Sequence, residues 1–289
     1  MPGQKPIALN TLKARFVSEL KSKYPDQEIL SFFNILTEHY LDISRLQMAL
    51  EPSKPVTYHQ MELMEKALKR LKTYEPIQYI VGETVFFGLS FRVAPGVLIP
   101  RPETEELVQW VLDEVGGDAD RELNILDIGT GSGCIAISLA RNLPNARVIA
   151  VDVSDQALEI AANNARNNKV SIKFIQQDVL EATELPEQFD VVISNPPYVR
   201  ELEKPAMHQN VLLYEPETAL YVKDENPLLF YRKITKLAEK GLRENGLLFF
   251  EINQYLAVET ENMIQEHGFH TQLRKDIYGN FRMIKAEQN

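Results

Sequence analysis

The chain has 289 residues and a formal charge of −10, with 44% hydrophobic and 25% charged side chains, so a non-specific grip on nucleic acid, which needs a basic surface, is not expected. Its single cysteine, Cys134, allows no intrachain disulfide, and the five histidines lack ligand spacing with it, which argues against a metal site. The stretch MPGQKPIALNTLKARF has no apolar segment of signal-peptide length and no run approaches about 18 apolar residues, so a cytoplasmic protein without a membrane segment is expected.

In chain order, residues 10–73 show helical period throughout: Leu12, Phe16 and Leu20, then Ile29, Phe32, Phe33 and Leu36, then Met61, Met64, Leu68 and Leu71. Prolines at Tyr24-Pro25-Asp26 and Glu51-Pro52-Ser53-Lys54-Pro55 punctuate them, which predicts a small helical bundle over residues 1–74. Residues 1–80 carry 11 basic and 9 acidic side chains and the remaining 209 carry 20 and 32, so charge changes together with period. Thr84 to Phe87 and Ser90 to Val93 flank Gly88-Leu89 and predict a β-hairpin within a 75–100 connector. Pro102 to Glu105 opens an acidic helix.

From Leu123 strands and helices alternate: NILDIG, a helix to Asn142, RVIAVDV, a helix over 154–167, SIKFIQQ, FDVVIS, a helix near 227–240, GLLFFEI, a helix near 254–267, and β-prone runs at 269–273 and 281–285. Such alternation predicts an α/β domain over 101–289 with a doubly wound, mostly parallel sheet of seven strands.

The first of these strands runs into Asp127-Ile128-Gly129-Thr130-Gly131-Ser132-Gly133, where alternating glycines allow a sharp turn and close approach of a ligand at a helix start. The second strand ends at Asp152, 19 residues beyond Gly133, where a carboxylate can accept from both hydroxyls of a ribose. The spacing is G-x-G-x-G rather than the dinucleotide G-x-G-x-x-G, and no P-loop is present. Asp127 beside this loop would repel a pyrophosphate but suits an ammonium, so S-adenosylmethionine, cationic and free of phosphate, fits better. After the third strand, Asp178 is placed to hydrogen-bond an adenine, or to cap a helix, and Val179 to pack on the ring.

The fourth strand ends in Asn195-Pro196-Pro197-Tyr198, at the carboxyl edge where open α/β sheets bind ligands. The prolines stop the strand and hold the Asn195 side chain and the Pro196 carbonyl as two acceptors, which suit an NH2 group. Tyr198 offers a flat face for a planar group, worth about 1–3 kcal/mol by analogy with bases on aromatic side chains. The predicted target is a planar nitrogen: an adenine or cytosine amine, or a carboxamide.

These motifs resemble class I S-adenosylmethionine-dependent methyltransferases acting on amino or amide nitrogen. Gln78-Tyr79-Ile80-Val81-Gly82, the stretch PGVLIPRPETE from Pro95 to Glu105, Glu215-Pro216 with Ala219-Leu220, and Asp276 with Gly279 and Arg282 narrow the resemblance to the peptide chain release factor N5-glutamine methyltransferases, the HemK/PrmC group. That resemblance implies a Rossmann-like sheet preceded by a helical substrate-recognition domain, and as substrate the glutamine amide of the Gly-Gly-Gln motif of release factors. It implies that Asp127, the loop Gly129, Thr130, Gly131, Ser132 and Gly133, together with Asp152, Asp178, Val179 and Asn195, serve the cofactor. Asn195, Pro196, Pro197 and Tyr198 would hold the glutamine amide, with Arg101 as a further substrate contact.

Glu103 and Thr104 are candidates for the pocket or for the first turn of their helix, and Glu251 for pocket lining or a solvated strand end. Cys134 and Trp110 read as packing residues. Two rival functions remain at this stage: an N6-adenine methyltransferase on DNA or RNA, since NPPY is shared with those enzymes, and a non-catalytic cofactor-binding adaptor.

Overall fold

The computed structural model describes residues 7–116 and 122–288. The chain forms two compact units, one made of the chain up to Gly82 with His208–Tyr214, the other of Glu83–Met207 with Glu215 onward.

In the first unit the helices are α1 (Leu9–Leu20), α2 (Asp26–Leu41), α3 (Arg45–Leu50), α4 (Tyr58–Leu71) and α5 (Ile77–Val81). Leu12, Phe16 and Leu20 of α1, Ile29, Phe33 and Leu36 of α2 and Met64, Leu68 and Leu71 of α4 share one buried core, with the Phe16 and Phe33 rings edge to face at 5.3 Å. This is the i, i+3, i+4 stripe that the sequence shows. Two features lie outside the stripe: α3, which buries no residue, and a two-residue antiparallel pair of β1 (Ile7–Ala8) with β2 (Pro55–Val56). Neither is long enough to leave a periodic signal. Capping boxes, Ser44 with Gln47 and Thr57 with Gln60, start α3 and α4. A helix from the second half of the chain, α9 (Gln209–Tyr214), joins this unit, with the Tyr214 hydroxyl donating to Thr73 O at 2.9 Å.

The second unit opens with the hairpin β3 (Glu83–Phe86) and β4 (Leu89–Arg92), one residue earlier than the sequence suggests, followed by α6 (Pro102–Val115). Then come β5 (Asn124–Ile128), α7 (Cys134–Asn142), β6 (Arg147–Asp152), α8 (Asp155–Asn167), β7 (Lys173–Gln176) and β8 (Phe189–Ser194). A short parallel pair, β9 (Val199–Arg200) and β10 (Tyr221–Val222), brackets a segment that includes α10 (Glu217–Leu220). Finally α11 (Leu229–Gly241), β11 (Leu242–Glu251), α12 (Ala257–Glu266), β12 (Phe269–Lys275) and β13 (Phe281–Gln288) complete it.

Seven of these strands form one sheet in the order β12-β13-β11-β8-β5-β6-β7, parallel except for β13, which runs antiparallel to both neighbours. The strands alternate between two buried faces. Ile125, Val148, Val191, Ile193 and Phe249 pack with Trp110 of α6 and Ile135 of α7. Leu126, Ile149, Val192, Leu248 and Phe250 pack with Tyr231 and Ile234 of α11 and Ile264 of α12. A sheet covered by helices on both faces gives strands with continuous apolar runs rather than alternation, such as Val191-Val192-Ile193 in β8 and Leu247-Leu248-Phe249-Phe250 in β11. Strand order reverses between β5 and β8, so the loops after them part there and leave a crevice at their carboxyl ends.

Candidate active site

A cleft of about 630 Å³ opens at that crevice, within the size range of small-molecule sites. Its walls are the ends of four strands: Ile128, Gly129 and Gly131 after β5, Val151 to Ser154 after β6, Gln177 to Leu180 after β7, and Ser194 to Pro197 after β8. Gly96, Val97 and Leu98 close one side, and residues between Thr218 and Phe230 another.

The glycine loop is fixed to the sheet by its backbone. The amides of Gly129 and Thr130 donate to Val151 O at 2.9 and 3.1 Å, and Gly131 N donates to Asp152 Oδ2 at 2.8 Å. Gly129 and Gly131 have φ of 74° and 55°, and a Cβ on either would meet nothing within 4 Å, so it would project into the open cleft. A Cβ on Gly133 would instead strike Ile137 Cδ1 at 2.9 Å and Ala161 Cβ at 3.1 Å, because α8 packs closely there. Asp152 also accepts from Ser154 N at 2.9 Å through Oδ1. A carboxylate has about four lone-pair positions, so both oxygens can accept again from a ligand.

Asp127 does not line the cleft. It is wholly buried, and its Oδ2 accepts from Thr130 Oγ1 at 2.6 Å and Ala136 N at 3.2 Å, tying the loop to α7. Its Oδ1 has no hydrogen-bond partner among the described residues, and burial pushes the carboxyl up to about 7. Burial favours the protonated form in the folded chain, whereas the unfolded chain ionises near 3.8. The folded state therefore holds the extra proton, and stability should fall as pH rises from 3.8 to about 7. Asp127→Asn removes that slope: from melting curves at about pH 5 and about pH 8, the variant is expected to gain on wild type by at most about 2.7 kcal/mol, the part of the shift that lies between about pH 5 and 7.

Asp178 starts no helix; its Oδ1 accepts from Leu180 N at 2.8 Å in a turn on the cleft wall, next to Val179. Val153, an exposed apolar side chain, faces the same cleft immediately after Asp152. Its signal in the sequence is an apolar residue directly following a strand-end acid. Thr130, Ser132 and Gly133 belong to the loop's buried side and are not among the lining residues. Cys134 is buried, and burial pushes its thiol up to about 12, as suits a packing residue.

Asn195, Pro196 and Pro197 line the cleft where β8 ends. The Asn195 Nδ2 donates to Thr104 Oγ1 at 3.3 Å, and Thr104 Oγ1 donates to Glu251 Oε2 at 2.6 Å. Tyr198 is not among the lining residues. Its hydroxyl donates to Glu251 Oε1 at 2.8 Å, and its ring packs against the core beneath the sheet. Burial, then the neighbouring Glu251 charge, holds the Tyr198 hydroxyl well above its ordinary range. Arg101 also stays out of the lining, in an ion pair with the buried Glu215 at 2.6 Å. Glu215 Oε2 accepts from Ile99 N at 3.3 Å, so this pair fixes the Pro95–Arg101 stretch beside the cleft. Glu251, at the end of β11, is neither solvated nor a wall but a buried acceptor of two hydroxyls.

The family described as PrmC N-terminal domain matches residues 11–82, and that described as Methyltransferase small domain matches residues 111–222. The chain is 52% identical to a release factor glutamine methyltransferase of Flavobacterium psychrophilum over 97% of its own length and 99% of the relative. It is 42% identical to one of Bacteroides thetaiotaomicron over 97% and 100%. In fold it is like a T. thermophilus 16S rRNA methyltransferase solved in complex with AdoMet and guanosine, with TM-score 0.54 and 20% identity over 72% of this chain and 50% of that one. End-to-end similarity at these identities leaves one assignment: the chain belongs to the release factor glutamine methyltransferase family.

Proposed function

We propose that this chain transfers the methyl group of S-adenosylmethionine to the side-chain amide nitrogen of a glutamine in peptide chain release factors, at the Gly-Gly-Gln motif. The observation that carries the substrate is the near full-length 52% identity to a relative named for that reaction. We further propose that the helical unit recognises the release factor and that the protein works in the cytoplasm, where release factors act. Among the described residues no helix is long and apolar enough to cross a membrane.

The cleft suits the cofactor. Gly129 and Gly131 leave open the space a Cβ would fill, Asp152 offers carboxylate oxygens to ribose hydroxyls, and Val153 and Val179 offer apolar surface for adenine. Among the described residues Lys223 is the one cationic side chain of the lining, and it lies outside the glycine loop, in keeping with a ligand that carries no phosphate. When bound, S-adenosylmethionine supplies an electrophilic sulfonium methyl. An amide nitrogen is a weak nucleophile because its lone pair is delocalised. Asn195 Oδ1 and the Pro196 carbonyl accept its two N–H groups, which orients the nitrogen and raises its electron density. No side chain needs to bond covalently to the substrate, and the proton displaced on methylation leaves to water.

Incubation of the purified chain with labelled S-adenosylmethionine and a release factor should label that factor. Changing the Gly-Gly-Gln glutamine should abolish the label. Labelling of naked nucleic acid in place of the factor would overturn the assignment.

A further inference from the structure

A carboxamide has nearly the same shape whichever way it is turned, yet only its oxygen can accept an N–H. If Asn195 presented its NH2 to the cleft, it would meet the substrate's NH2 with a second donor, and the site would repel the group it must hold. Something must therefore specify which end of Asn195 faces the cleft. Pro196 and Pro197 fix the backbone but not this choice, since a flip about the last side-chain torsion leaves the backbone unchanged.

The choice is made two side chains away. As a carboxylate, Glu251 has no proton to donate, so both groups on it must donate: Thr104 Oγ1 at 2.6 Å and the Tyr198 hydroxyl at 2.8 Å. Thr104 has one hydroxyl proton, and Glu251 takes it. Towards Asn195 the Thr104 oxygen can then only accept, and at 3.3 Å the group it meets is Nδ2. Burial pushes the Glu251 carboxyl above its ordinary range. The hydroxyls of Thr104 and Tyr198 and the charge of Arg282, itself held by Asp276 at 3.3 Å, act against that shift and favour the ionised state that accepts from both hydroxyls. Thr104 and Glu251 are 2% and 1% exposed, so water does not compete for these bonds.

We propose that Thr104 and Glu251 are positioning residues that set the orientation of the Asn195 carboxamide, and thereby the acceptor character of the amide clamp. This deepens the reading of Asn195 as the acceptor of the substrate amide and rests on it. The plain alternative is that the chain Thr104, Glu251, Tyr198 only ties α6 to the sheet, in which case Asn195 would not depend on it.

Thr104→Val keeps the shape of the side chain and removes the oxygen; Thr104→Ser keeps the oxygen. In the protein without ligands, the Asn195 side-chain NH2 is observed by nitrogen–proton NMR and identified by its loss in Asn195→Ala. Its hydrogen exchange should quicken at least about tenfold in Thr104→Val and return close to wild type in Thr104→Ser. In methyl transfer to a release factor, Thr104→Val should lower kcat at least about tenfold with KM changed less than about threefold, and Thr104→Ser should restore it. Glu251→Gln, which places an NH2 where an acceptor stood, should disturb the same NMR signal and lower kcat in the same way. Unchanged melting and S-adenosylmethionine affinity would show that these variants keep the cleft. Wild-type exchange of the Asn195 amide in Thr104→Val, or wild-type kcat there, would overturn the proposal. If the wild-type chain transferred no methyl to release factors, the substrate reading would fall, and the NMR comparison would still decide the orientation.

Discussion

Replacing Asn195 with alanine is expected to slow methyl transfer at least about a hundredfold, or about 2.7 kcal/mol of transition-state stabilisation. The side chain stands on the cleft wall at the end of β8, and its loss leaves one substrate N–H facing a gap. The amide would then rotate about its remaining bond to the Pro196 carbonyl, and its nitrogen would no longer be held in line for transfer. Binding of S-adenosylmethionine should change little, because Gly129, Gly131, Asp152 and Val153 remain in place. Single-turnover transfer measured beside calorimetric cofactor binding separates the two. Wild-type turnover in this variant would remove Asn195 from the reaction.

Replacing Asp152 with alanine is expected to act the other way, raising the Kd for S-adenosylmethionine about a hundredfold while leaving kcat at saturating cofactor within about tenfold of wild type. Two hydrogen bonds to a carboxylate are each worth about 1.5–3 kcal/mol, and water replaces part of them when the carboxylate is gone. The same substitution frees Gly131 N and Ser154 N, which Asp152 holds at 2.8 and 2.9 Å, so the glycine loop also loses a brace. Asp152→Asn keeps one acceptor and should lose less. A Kd within about threefold of wild type for the alanine variant would show that the ribose is held elsewhere.

On the proposed function, the two variants would divide the cleft into a cofactor half built on β5 and β6 and a substrate half built on β8. Both halves are legible from sequence because each is made of residues a few positions apart on one loop, placed by the strand before it. Asp127 illustrates the limit. Its place before the glycine loop suggested a ligand for an ammonium, but its side chain turns inward to Thr130 and Ala136 and acts as a brace. Sequence position sets where the α-carbon lies, while the direction of a side chain depends on what packs around it. Tyr198 and Arg101 differ from expectation for the same reason: each has a buried carboxylate to satisfy, Glu251 and Glu215. An ionised carboxylate buried without partners would cost several kcal/mol, on the order of the whole stability of a domain.

By itself the sequence determined the seven-stranded sheet, its order of strands and helices, and the crevice at the ends of β5, β6 and β8. Each of these follows from short-range periodicity, from glycine and proline at turns, and from the rule that parallel strands are joined across a helix-covered face. Only the tertiary structure decided what the Asn195 carboxamide is bonded to: its Nδ2 donates to Thr104, which donates to Glu251. Thr104 and Glu251 are 147 residues apart in the chain, and Tyr198 and Glu251 are 53 apart. A carboxylate closing the apolar run of β11 hints that it has partners, but no local pattern names them. Those partners are selected by burial, which leaves Glu251 no water to bond and makes Thr104 and Tyr198 the donors within reach.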